Sequence, residues 1–211
     1  MKSTFWPKFW IAALVGLLVY SSVGATSPSS GSITVVHNPI RGNSKTEHSA
    51  NDGLSTYVKF NGKVILFDTG GEANPLEQNL EDLGLDASVI DAIVLSHDQW
   101  DHVSGLPGVL SATAMEPKVY VPAPAAQEIL QQNPQANVVA VSKPTGILPD
   151  AWLVGPMRLE YGGGTIVEQA LVLDQNDGLV VIVGGSHPGI VSVVEQVKQV
   201  FGYRKIKLVV G

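Results

Sequence analysis

The stretch VIDAIVL, residues Val89–Leu95, places the narrowest limit on the fold. A strand with one wet face alternates apolar and polar residues. A near-continuous apolar run of this length belongs instead to a strand buried on both faces, which requires layers of structure above and below it. The run delivers the polar heptapeptide SHDQWDH, residues 96–102, at its C-terminal end.

The rest of the chain supplies the layers. Ile33–Val36 reads as a strand, and Thr56–Phe60 and Lys63–Phe67 form a hairpin across Asn61-Gly62, a pair suited to the positive φ angles of a type I′ turn. After DTGG (68–71), Asn74-Pro75-Leu76-Glu77 opens a helix with a capping box, and Gly84 ends it. Further on, helices are expected at Leu106–Met115, Pro124–Gln132 and 190–201, and strands at Lys118–Val121, Asn137–Val141 and Lys205–Val210. Segments 151–160, 165–174 and 178–184 are β-like. The expected class is mixed α/β, one domain over 33–211.

Residues 1–25 stand outside that domain. Lys2 and Lys8 precede an apolar run from Phe9 to Tyr20, and Val23 and Ala25 occupy the small-residue positions of a cleavage site. This is the pattern of a secretory signal, since the run is shorter than the ~20 apolar residues of a membrane span. Export to the periplasm or medium is expected, with TSPSSGS (26–32) a flexible leader and no stable membrane insertion after cleavage. The formal charge is −6 with no basic run, which argues against a nucleic-acid partner; a small-molecule substrate is the partner expected. The absence of cysteine excludes thiolate zinc sites and disulfides, and leaves His and carboxylates as metal ligands.

Three polar, Gly-rich loops follow apolar strands: FDTGG, SHDQWDH and GGSHPG. A catalytic zinc site uses imidazoles and carboxylates on a rigid edge, with one position open to water. His97, Asp101 and His102 offer such an edge and His187 a further imidazole. Each also has a plainer reading: His97 as a polar loop residue capping a helix, Asp101 and His102 as helix-start residues, and His187 as the start of the last helix. Gly162-Gly163-Gly164 is no phosphate loop, because no Lys-Ser/Thr or helix follows it.

Taken in order, these motifs resemble the metallo-β-lactamase superfamily. Asp68 in DTGG, then His97-Asp98-Gln99-Trp100-Asp101-His102, stand where that family has an Asp and then His-x-His-x-Asp-His. Glu47-His48, Gly53-Leu54-Ser55, Glu168-Gln169-Ala170-Leu171 and Gly184-Gly185-Ser186-His187-Pro188-Gly189-Ile190 are similar to its dihydropterin–ribofuranosylaminobenzene phosphate synthase-like branch. The resemblance implies an αββα sandwich, one or two zinc ions and a metal-activated hydroxide. By the same carry-over, His97, Asp101, His102 and His187 are metal ligands. Asp101 becomes the proton shuttle if only one metal binds, and Asp68 supports a histidine or loop amides. Asp98 is either exposed or a partial substitute for Gln99, and Trp100 packs against the loop.

The sequence departs from the pattern in three places. Gln99, a weaker ligand, replaces the second histidine; Gly185 replaces a cysteine; and the chain stops at Gly211, where family members continue. The fold is therefore expected to be incomplete at its C-terminus, by truncation or by loss of the last layer. Three functions stay open: a zinc hydrolase of esters, lactones or phosphoesters; a single-metal phosphodiesterase-like or lactonase enzyme; and a degenerate, non-catalytic relative with at most a weak metal or ligand site.

Overall fold

The computed structural model describes residues 31–37, 53–71 and 73–211. The signal segment, Glu47, His48 and the side chain of Asn74 lie outside them; the helix expected to be capped by Asn74 begins one residue earlier, at Ala73. Among the described residues, eleven strands form two sheets. The first has the order β1(Gly31–His37)-β2(Ser55–Phe60)-β3(Lys63–Phe67)-β4(Ala92–Val94)-β5(Lys118–Pro122)-β6(Asn137–Val141). The second has the order β11(Ile206–Val210)-β10(Gly178–Ile182)-β9(Gly164–Gln175)-β8(Ala151–Tyr161)-β7(Thr145–Leu148). Strand β1 begins earlier than Ile33: Gly31 and Ser32, expected in the leader, pair with Phe60 and Lys59.

The sheets stack face to face because their strands alternate. Val58, Ile65, Phe67, Ala92 and Val94 point inward to meet Leu153, Leu171, Leu173, Val180 and Ile182 of the second sheet. Their neighbours Tyr57, Leu66, Ile93 and Leu95 point outward, under helices α1(Ala73–Asp82), α3(Leu106–Ala112) and α4(Ala126–Gln132). On the far side, Val154, Ala170, Val172 and Val181 are covered by Val193 and Val197 of α5(Ile190–Phe201). The order helix, sheet, sheet, helix is the expected αββα sandwich. It explains why residues 92–95 of VIDAIVL are all apolar: Ala92 and Val94 face one core, Ile93 and Leu95 another. Ile93, Val94 and Leu95 each contribute about 1.5–3 kcal/mol on burial.

Asn61 and Gly62 carry φ of 49° and 73°, so the hairpin closes as the Asn-Gly pair requires, with Phe60 opposite Lys63. Strands β3 to β6 then run parallel, the connections between them passing through the helices. Parallel strands align their C-terminal ends, so DTGG after β3 and SHDQWDH after β4 open on one edge of the sandwich. Among the described residues no helix is long and apolar enough to cross a membrane.

Several expectations shift. The strand of 89–95 contracts to Ala92–Val94 behind a 3-10 turn at Ala87–Val89, although Leu95 still bonds to Tyr120. The helix expected at Leu106–Met115 ends at Ala112. Strand β7, which pairs with β8, was not anticipated.

Candidate metal centre

The site is built around Asp68, whose side chain is wholly buried and whose φ is 58°. That left-handed conformation is uncommon outside glycine, though Asp tolerates it better than most. The backbone is held there from both sides: its N–H donates to the Val94 carbonyl, and its carbonyl accepts the Ser55 hydroxyl at 2.8 Å. Oδ1 accepts the Ser96 N–H at 2.6 Å; Oδ2 accepts the Ser96 hydroxyl and the His102 Nδ1–H, each at 2.7 Å. Asp68 thereby fixes both the loop backbone and a histidine.

Proton positions follow from donor counting. The single Ser96 hydroxyl proton goes to Asp68, so Oγ can only accept from His97 Nδ1, 2.8 Å away. Burial and the neighbouring His102 hold the His97 pKa below its ordinary value. A neutral His97 with its proton on Nδ1 keeps its lone pair on Nε2; Gln99 Oε1, 3.0 Å away, is also an acceptor, so the two face each other only with a cation between them or with the amide turned to present its NH₂. His102, with Nδ1–H on Asp68, likewise has Nε2 left, 3.6 Å from Asp101 Oδ2. Burial works against the charged form of His102, but the hydrogen bond and charge of Asp68, with Asp101 and Glu168, outweigh it and raise the pKa.

The third imidazole arrives from the other sheet. After β10 the GGSHPG loop places His187 with its ring centroid 4.8 Å from that of His97, which lies 4.3 Å from that of His102. The Glu168 carboxylate on β9 accepts the Ser186 N–H at 2.8 Å and the His187 N–H at 2.9 Å, and lies 3.2 Å from His187 Nδ1. One ligand atom from each of His97, Glu168 and His187 falls within a 4.8 Å group.

Four of the residues expected at the site, Asp68, His97, His102 and His187, are thus brought together, with Asp101 half-buried at the edge. Asp101 and His102 stand outside the His97–Glu168–His187 group. Gln99 lies beside the first histidine, its Oε1 3.0 Å from His97 Nε2. Asp98 is exposed. Trp100 is 57% exposed rather than packed against the loop; it starts the single turn α2(Trp100–Val103), which points its indole outward. His37, without an assigned role, is buried beneath Gly70 of DTGG.

Sequence reasoning missed the roles of Ser96, Glu168 and Gln169. Gln169 Nε2 donates to the carbonyls of Leu95 at 2.8 Å and Tyr120 at 3.2 Å, and its N–H donates to the Ser96 carbonyl, so it ties the second sheet to the first beneath the site. The E-Q-A-L motif was the one signal of Glu168 and Gln169.

The donor set suits a metal ion. Asp68 and Glu168 are buried carboxylates, and among the described residues neither is ion-paired with a lysine or arginine. Buried anions need a positive partner. Carboxylate or relayed contacts at the Nδ1 atoms, leaving Nε2 as electron-pair donor, are what ligating histidines use.

Comparison with known proteins agrees with this geometry. The family model of the metallo-beta-lactamase superfamily matches residues 49–199, which include all three loops. The chain is 27% identical over 197 residues to 7,8-dihydropterin-6-methyl-4-(beta-D-ribofuranosyl)-aminobenzene-5'-phosphate synthase of Methanocaldococcus jannaschii, covering 73% of this chain and 67% of that protein. It is 30% identical over 124 residues to a ribonuclease Z of Salinibacter ruber, covering 57% of this chain but 37% of that enzyme. The solved structure of Tm1679, a metal-dependent hydrolase of the beta-lactamase superfamily, superimposes with a TM-score of 0.65 at 25% identity, over 85% of this chain and 75% of that one. With most of its length matched and its three site loops inside the match, the chain belongs to the metallo-beta-lactamase superfamily.

Proposed function

We propose that the protein is a metal-dependent hydrolase of a small ester, lactone or phosphoester, with zinc as its ion. The observation that carries this reading is the clustering of His97, His102 and His187 around two buried carboxylates. A zinc ion would lower the pKa of bound water toward ~7 and polarise the scissile bond. His97 and His187 would hold it, with Gln99 Oε1 beside the first. Asp101, half-buried and 3.6 Å from His102 Nε2, stands where it can take a proton from an attacking water. Asp68 keeps His97 and His102 oriented through Ser96 and by direct contact.

A small substrate is favoured over nucleic acid because the chain is acidic, with a formal charge of −6, and lacks a basic tract for phosphates. Gln99 in place of a histidine favours a second reading, a non-catalytic relative with a weak site. The two are separated by metal analysis of the purified protein together with turnover of a bis-aryl phosphodiester, an aryl ester and an acyl lactone, with and without chelator. Chelator-sensitive turnover with about one zinc per chain is expected. Absence of both, after incubation with zinc, overturns the enzymatic reading.

A further inference from the structure

Glu168 is 1% exposed, yet among the described residues it accepts N–H groups only from the short segment that carries His187. Oε1 takes the Ser186 N–H; Oε2 takes the His187 N–H and faces His187 Nδ1. An ionised carboxylate accepts and cannot donate, so the ring proton belongs on Nδ1 and Nε2 becomes the only nitrogen with a lone pair. Two further features shape the seat. Ser186 is held at φ 51°, which turns consecutive N–H groups toward one carboxylate. A Cβ on Gly185 would lie 2.3 Å from Cε1 and 2.5 Å from Nδ1 of His187, and 3.2 Å from Cε1 of His97. The imidazole therefore occupies room that any side chain at position 185 would fill.

We infer that Glu168 is the positioning residue of the site, holding His187 over the space at Gly185 in the tautomer that leaves Nε2 to bind a ligand. Its consequence for metal rests on the metal-dependent reading above; the tautomer itself does not. Glu168 acts through His187. Replacing its carboxylate by an amide would set an NH₂ group against either the Ser186 N–H or the His187 donors, so one of them loses its acceptor.

The test begins with the metal-free full chain. Nitrogen-15 NMR of the imidazoles, with the His187 signals identified by their loss in His187→Gln, should show Nδ1 protonated. In Glu168→Gln the proton should move toward Nε2, and zinc or cobalt(II) affinity by calorimetry should fall at least tenfold, within the 10–100-fold range for such partners. Glu168→Asp, which keeps an acceptor, should recover part of the tautomer and part of the affinity. His187 protonated on Nε2 in the wild-type chain overturns the inference even if no variant folds. So does an unchanged tautomer and affinity in a folded Glu168→Gln. A wild-type chain with Nδ1 protonated that binds no metal supports the role of Glu168 and overturns only the metal-dependent reading.

Discussion

His102 Nδ1 and Asp68 Oδ2 lie 2.7 Å apart with the carboxylate entirely buried, and the same oxygen takes the Ser96 hydroxyl. Two donors thus share one oxygen that no water reaches. Asp68→Asn keeps the shape but offers an NH₂ group on one side. Whichever way the amide turns, Ser96 N–H or the His102 and Ser96 donors lose an acceptor. The expected outcome is a loss of about 1–3 kcal/mol in stability from the unsatisfied buried group, with zinc affinity down roughly 10–100-fold. Urea denaturation and calorimetry measure the two. Wild-type values for both would mean that Asp68 does not organise the loop.

Gln99→His should tighten zinc binding by at least about tenfold, since an imidazole is a better zinc ligand than an amide oxygen and second-contact losses alone reach that size. Gln99 Oε1 already stands 3.0 Å from His97 Nε2, so the substituted ring needs little movement to reach the same ion. Competition with a chromogenic chelator gives the ratio. An unchanged affinity would place the metal away from this side of His97.

The two neighbouring histidines oppose each other in pH dependence. His97, held neutral by burial and by His102, has a folded pKa below the unfolded value of about 6.5, so its contribution is present above that pH and is lost as pH falls. His102 has a raised folded pKa, because its Asp68 contact outweighs burial. Its contribution is complete below about 6.5 and disappears as pH rises through the folded value. In the metal-free protein, the stability advantage of wild type over His102→Gln should shrink as pH increases. An advantage that grows with pH would contradict the pairing with Asp68.

Gly184 lies outside the left-handed φ region but has no room for a side chain. A Cβ there would lie 2.1 Å from Ser96 Oγ and 2.7 Å from Asp68 Oδ2. Gly184→Ala must therefore push the two sheets apart at the site or break the Ser96–Asp68 bond. A stability loss in the 1–3 kcal/mol range of overpacked positions and at least tenfold weaker zinc binding are expected. A folded variant with unaltered metal affinity would show that the loop gives way freely.

If residues 1–25 direct export, mass spectrometry of the exported protein should find Thr26 at its N-terminus. Intact Met1 in the membrane fraction would instead support an anchor.

What could be seen in the sequence was whatever local chemistry decides. Asn61-Gly62 dictates its own turn, VIDAIVL needs cover on both faces, and strand-end loops with His and Asp point to a site. Strand β7 was not legible because Gly146, between Pro144 and Pro149, reads as loop until β8 supplies its partner. Glu168 was not assigned because a carboxylate within a strand ordinarily faces solvent, and its N–H partners are 18 and 19 residues away. Trp100 went wrong for the opposite reason: an aromatic in a loop suggests packing, but one helical turn sends it to solvent.

Glu168 and Gln169 are adjacent on β9, yet they grip opposite halves of the sandwich: one holds the loop after β10, the other the Leu95 carbonyl just after β4 and the Tyr120 carbonyl within β5. Both grips meet at the seam where His97 of the first sheet faces His187 of the second. An ion shared by those two histidines would act as a rivet between the halves. Under mechanical load, the sheets should separate at a higher force when the rivet is in place, and amide exchange at Leu95, Ser96 and Gln169 should slow together.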